Sequence, residues 1–220
     1  MTKTSNYKKP LDLTTWSRKE IFTYYQAHPE TFTLTASIDI THLLEVIKSS
    51  HLKFNPVMIF LISSVVNEHD EFKLTIDDHL GLCQWERLNP LYSEMHPQTK
   101  NIMHLSTPYQ NTFDSFYQQC LLDKEKSMQS TSLFPLGEPP QNCFQVSCVP
   151  WTVFTSFYIA KGNNVDYFPV ITYGKYSESY GKILLPISIT LHHAVADGYH
   201  ASRFISEIED ACHNFIGQTK

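Results

Sequence analysis

The stretch Leu191-His192-His193-Ala194-Val195-Ala196-Asp197-Gly198-Tyr199-His200 decides how the rest of the chain is read. It closes an apolar run from Ile183 to Leu191 that reads as a strand. Two histidines follow, then Asp-Gly, then a helix over Tyr199 to Ile216 with Phe204, Ile205, Ile208, Cys212 and Phe215 on one face. Neighbouring side chains on a strand point to opposite faces, so His192 and His193 diverge and only one can enter a given pocket. Glycine after Asp197 permits a tight turn that would bring its carboxylate back toward the strand end. Pro186 lies inside the strand and predicts an edge or a bulge there, because proline has no N–H for the ladder.

Regular elements alternate outward from this point. Ser17-Arg18-Lys19-Glu20 opens a helix that ends near His28-Pro29, and Thr31 to Ile38 alternates apolar side chains with hydroxyls as a strand does. Thr41 reads as the cap of a second helix, and Asn55-Pro56 as N-cap and N1 of a long apolar one. A strand-turn-strand is expected around His79 to Trp85, a loop at Asn89-Pro90, and a helix over Tyr109 to Lys126. Three further strands are expected: Phe144 to Val149, Phe154 to Ala160 and Phe168 to Tyr173. No repeat or linker divides the 220 residues. The expectation is a single domain over 1–220 of the α/β class (α+β, two-layer), with helices packed on a large mixed β-sheet.

Composition removes several function classes. A net charge of −5 gives no basic field to displace counterions from nucleic acid. Seven glycines make a glycine-rich phosphate loop improbable. No apolar stretch approaches the ~20 residues that span a membrane, and Met1 to Pro10 is too polar for a secretory signal. The five cysteines form no C-x-x-C, which suits reduced thiols and a cytoplasmic location. Fourteen Phe and twelve Tyr fit either a ring-lined pocket or an aromatic core.

Three chemistries compete for the histidine turn. Zinc wants three or four converging ligands, which diverging histidines without a cysteine pair do not offer. A structural histidine beside an Asp N-cap explains a bare H-x-x-x-D. A histidine at a strand terminus can also act as a general base, since its pKa lies near neutrality.

The full H-H-x-x-x-D-G string at 192–198 resembles the signature of coenzyme A-dependent acyltransferases of the chloramphenicol acetyltransferase fold. Related forms occur in the cores of 2-oxo acid dehydrogenase complexes, which usually follow lipoyl domains and Ala/Pro linkers, and in the longer condensation domains of peptide synthetases. Other blocks are similar to the chloramphenicol acetyltransferase family in particular. They are Trp16-Ser17-Arg18-Lys19-Glu20, Asn89-Pro90-Leu91-Tyr92, Phe113-Asp114-Ser115-Phe116-Tyr117, Ser147-Cys148-Val149-Pro150-Trp151, Phe154-Thr155-Ser156-Phe157 and Pro169 to Tyr176. They occur in the family's order from Trp16 to the C-terminal helix.

The resemblance implies roles residue by residue. His193 would be the general base that takes the proton of the 3-hydroxyl of chloramphenicol as it attacks acetyl-CoA. Ser147 would donate to the oxyanion. Arg18 and Asp197 would pair, and such a pair costs about 3–5 kcal/mol to break when buried. Tyr25, Phe32, Phe157 and Ile159 would line the substrate pocket, Thr172 would hold a water, and Lys175 and Tyr176 would lie along the coenzyme A path. The family works as a homotrimer with active sites at subunit boundaries and uses no metal. Two departures stand out: Ala196 replaces the family's usual cysteine, and Lys100 to Leu105 lacks the pocket-wall phenylalanine, with Met103 in its neighbourhood. An acetyltransferase for another hydroxylated small molecule, or a non-catalytic ligand-binding protein on the same scaffold, are the alternatives.

Overall fold

The computed structural model describes residues 7–159 and 167–217. In chain order they form β1 (Lys8–Pro10), α1 (Lys19–Ala27), β2 (Thr31–Asp39), α2 (Thr41–Ser49), α3 (Phe54–Glu68), β3 (Leu74–Asp77) and β4 (Gly81–Trp85). There follow β5 (Asn89–Met95), β6 (Ile102–Ser106), α4 (Phe113–Ser127), β7 (Cys143–Val149), β8 (Val170–Gly174), β9 (Ser177–Ser179), β10 (Lys182–His192) and α5 (Gly198–Asn214). Strands β1, β4 and β3 make a small antiparallel sheet. The large sheet runs β2-β10-β8-β7-β5-β6, with β9 beside β10. The β5–β7 and β7–β8 pairs are parallel and the other pairs antiparallel, so the large sheet is mixed, as expected.

Register gives this sheet two unlike faces. Leu34, Ile189, Ile171, Val146, Tyr92 and Leu105 stand side by side across six strands. This apolar row faces the helices: Tyr92 Oη receives a hydrogen bond from Cys120 of α4 (3.4 Å), and neighbouring Tyr173 donates to Asn55 Oδ1 of α3 (3.4 Å). One residue along each strand the side chains turn to the other face. There Thr35, Ser188, Thr172 and Ser147 line up on β2, β10, β8 and β7. Ser93 of β5 falls one step beyond the Tyr92–Val146 pair, level with Ser147, and is paired with His104 of β6. A second hydroxyl row places Thr33 against Thr190, their oxygens 2.7 Å apart.

Several sequence readings shift by a residue or change type. Thr41 does not cap α2 with its own side chain; Asp39 accepts from both Thr41 N (3.0 Å) and Thr41 Oγ1 (2.5 Å). The N-cap of α3 is Lys53 rather than Asn55, so Pro56 sits third in the helix, still within the first turn where its missing N–H is harmless. Asn89-Pro90 opens β5 instead of forming a loop, and Pro90 pairs with β7 one residue before β6 joins. Phe154 to Ile159 is irregular, not a strand, and Ala160 lies outside the described residues. Its rings are used for packing: Phe154 meets Phe157 at 5.4 Å and covers Gly174, where an added Cβ would lie 2.7 Å from the Phe154 ring. Pro186 is buried in a central strand, yet Leu185 and Pro186 fall between the residues paired with β9 and those paired with β8. The ladder is interrupted on that side where the proline stands.

Candidate active site

The histidine turn is built by backbone hydrogen bonds around His192. Its carbonyl accepts from Val195 N and Ala196 N (3.1 Å each), and its Nδ1 accepts from Ala194 N (3.0 Å). That ring is buried against Tyr167, with centroids 5.0 Å apart. His193 turns the other way and remains half-buried. Its ring stacks on Tyr25 (centroids 4.9 Å, planes 18° apart) and leans on Phe32 (4.4 Å, 31°). The backbone N–H of His193 donates to Glu30 O at 3.0 Å. The two histidines therefore serve different surroundings, as alternation along the strand predicts, and do not converge on a metal.

Asp197 joins the two structural readings of the turn. It is the N-cap of α5, with Oδ1 accepting from Tyr199 N (3.1 Å) and His200 Nδ1 at 2.9 Å from the same oxygen. Its Oδ2 meets Arg18 Nη1 at 2.9 Å, and Arg18 Nη2 donates to the carbonyl of His193 at 3.4 Å. One guanidinium just before α1 thus holds both the cap and the backbone of His193. Burial tends to raise the Asp197 pKa, but the bonds from Arg18 and His200 outweigh it and hold the carboxyl below its ordinary value. The Arg18 side chain is 16% exposed and the Asp197 side chain 39%, so the cost expected for a fully buried pair is too large for this one. Gly198 also departs from expectation. Its φ is not positive and an added Cβ would meet nothing within 4 Å, so the turn does not depend on glycine's freedom.

Ser147 lies elsewhere. It is half-buried on β7, level with the buried Thr172 on β8, which in turn is level with Ser188 on β10. Five residues along β10 and two strands across separate it from His193, about 20 Å at ~3.3 Å per residue and ~4.8 Å per strand. Its neighbour Cys148 is no rival nucleophile, because burial pushes that thiol up to about 12. Lys175 and Tyr176 follow β8 at the Ser147 end. Lys175 N donates to Thr152 O (3.0 Å), and the Tyr176 ring lies 5.8 Å from Phe54. Phe157 and Ile159 belong to the irregular segment after β7. The site residues expected from sequence thus fall into two groups within one chain: His193, Tyr25, Phe32, Arg18 and Asp197 at one end of β10, and Ser147, Thr172, Lys175 and Tyr176 toward the other.

A mixed sheet with helices on one face and a histidine turn after its long central strand is the architecture of the coenzyme A-dependent acyltransferases. A solved structure named chloramphenicol acetyltransferase superposes with a TM-score of 0.81 at 23% identity, covering 93% of this chain and 99% of that one. A dihydrolipoamide acetyltransferase from Azotobacter vinelandii follows at 0.66 and 15%, covering 89% and 86%. The profile of the chloramphenicol acetyltransferase family matches residues 5–209. Chloramphenicol acetyltransferase 3 of Escherichia coli is 39% identical over 211 residues, 95% of this chain and 98% of that protein. The chain belongs to the chloramphenicol acetyltransferase family. Among the described residues no helix is long and apolar enough to cross a membrane.

Proposed function

We propose that this chain, acting as a single domain over 1–220, transfers the acetyl group of acetyl-CoA to the 3-hydroxyl of chloramphenicol, inactivating the antibiotic in the cytoplasm. The observation that carries the reading is the mounting of His193. Its ring is held between Tyr25 and Phe32, and its carbonyl is anchored by the arginine that also holds Asp197, while the residue is not fully buried. That mounting suits a base that must meet a substrate hydroxyl in one orientation.

In the proposed reaction His193 takes the hydroxyl proton as the oxygen attacks the thioester carbonyl. The tetrahedral oxyanion accepts a hydrogen bond from Ser147. As the intermediate collapses, the C–S bond breaks and the departing thiolate takes the proton back from the imidazolium. No acyl-enzyme forms and no metal takes part. Tyr25, Phe32, Phe157 and Ile159 line the acceptor side, Thr172 holds a water near the oxyanion, and Lys175 and Tyr176 border the coenzyme A path.

Both groups of residues are needed at one reacting carbon, yet they stand about 20 Å apart in one chain. The reading therefore includes an assembly in which one subunit brings His193 to the hydroxyl row of its neighbour, and the resemblance to the family implies that it is a homotrimer. Incubation of the purified protein with acetyl-CoA and chloramphenicol is expected to give the mono-acetylated drug by mass spectrometry. Absence of that product under conditions where both ligands bind would overturn the proposal.

A further inference from the structure

The hydroxyl row does not stop at Ser147. It runs on through Ser93 to His104, which is half-buried on the outer strand β6. His104 Nδ1 lies 3.3 Å from Ser93 Oγ, and the ring leans on Phe134 (centroids 5.8 Å, planes 34° apart). Its backbone N–H donates to Leu133 O at 2.7 Å, tying β6 to the segment that carries Phe134. Ile102 and Leu133 beside it are 53% and 47% exposed, so an apolar rim surrounds one polar group. Met103, by contrast, is 0% exposed and paired with Glu94 on the opposite, helix-facing side. The phenylalanine missing from this stretch is therefore not replaced by Met103.

We infer that His104 is a specificity-determining residue: it forms the polar floor of the acceptor site and hydrogen-bonds the end of the acceptor remote from the reacting hydroxyl. The inference rests on the reading of Ser147 as the oxyanion donor. Two strands separate His104 from Ser147, about 10 Å. The aryl group of chloramphenicol ends in a nitro group, an acceptor-only function at the far end of the molecule from the 3-hydroxyl. In the neutral tautomer that carries its proton on Nε2, Nδ1 accepts from the Ser93 hydroxyl and Nε2–H is left to donate to a nitro oxygen. Burial lowers the His104 pKa, which favours the neutral ring that this tautomer requires. Phe134 and Ile102 then contact the aryl ring. The class of acceptor selected is an aryl compound whose para substituent accepts a hydrogen bond.

The test compares chloramphenicol with its analogue carrying hydrogen in place of the nitro group, by calorimetric Kd and by KM. His104→Phe keeps a ring against Phe134 but removes both nitrogens, and His104→Gln keeps a donor near the Nε2 position. Wild type is expected to prefer the nitro compound by about 3–10-fold, the span of one net hydrogen bond. H104F should lose that preference and H104Q should keep part of it. A preference unchanged in H104F overturns the inference, even if Ser147→Ala slows turnover as proposed. Nitro-selective binding without any acetyl transfer would sink the reaction and leave the role of His104 in place. A wild type that binds neither compound overturns both.

Discussion

The two groups of residues in the proposed mechanism are constructed on different principles. At the end of β10, His193 is fixed within its own chain: two aromatic rings flank it, Glu30 O takes its backbone N–H, and Arg18 links its carbonyl to the cap of α5. The row through Ser147 is a surface of short polar side chains on a rigid sheet, with Thr172 and Ser188 buried beside it. Sheet register sets the position of Ser147, whereas side-chain contacts set that of His193. In the proposed reaction His193 is a mounted reagent, and the row through Ser147 is the bed on which the acceptor is laid. A difference of this kind is expected where each half meets a group brought by another molecule.

The comparison can be broken most directly at the mounted end. His193→Ala should lower kcat by about 10²–10⁴-fold, while the lost ring stacking lowers the melting temperature by only about 1–6 °C. A loss below tenfold would remove the base from the mechanism. Ser147→Ala should cost about 10²–10³-fold in kcat with little change in KM. Mixing these two inactive variants by joint refolding sharpens the contrast. If His193 and Ser147 meet across a subunit boundary, random assembly restores about a quarter of wild-type sites, and if they act within one chain it restores none.

Smaller effects probe the mount itself. Asp197→Ala removes a cap and the partner of Arg18, a loss of about 1–2 kcal/mol, or a melting temperature lower by about 2–8 °C in a calorimetric scan. Asp197→Asn keeps the capping oxygen, so less than half of that drop is expected while turnover still falls through the looser ring. The pH dependence has a definite sign. The native carboxyl titrates below its ordinary 3.8, so the stability it adds is fully present above about pH 4 and fades as pH falls through the lowered native value. The gap in melting temperature between wild type and Asp197→Asn should therefore narrow in acid. A gap that widened would contradict the direction of the shift.

The mounted end was also the more legible one in the sequence. The divergence of His192 and His193 follows from strand alternation, and the capping role of Asp197 from residue type and position. Its tie to Arg18, across 179 residues, has no local signal and came only from resemblance. The bed was less legible. Ser147 and Thr172 were singled out only by resemblance, and Ser93 and His104 are unremarkable strand residues until register lines them up, because register between distant strands is not written in any one segment. Strands β1, β6 and β9 were missed because they are short or polar, and Pro90 suggested a loop where one-sided pairing tolerates a proline. Phe154 to Ile159 has the composition of a strand, but its rings pack on one another and on Gly174 rather than accompanying a ladder.

Among the described residues strand β2 finds its one sheet neighbour, β10, far away in the chain: Asp39 pairs with Leu184 and Thr31 with His192. During synthesis at ~5–20 residues per second, β2 leaves the ribosome roughly 7–30 s before its partner exists. In that interval Phe32 and Leu34 have no strand to lie against, and α1 lacks the aspartate that Arg18 will hold. Nascent chains stalled before residue 182 should accordingly be protease-sensitive at their amino end, with protection arriving only when the last helix is out.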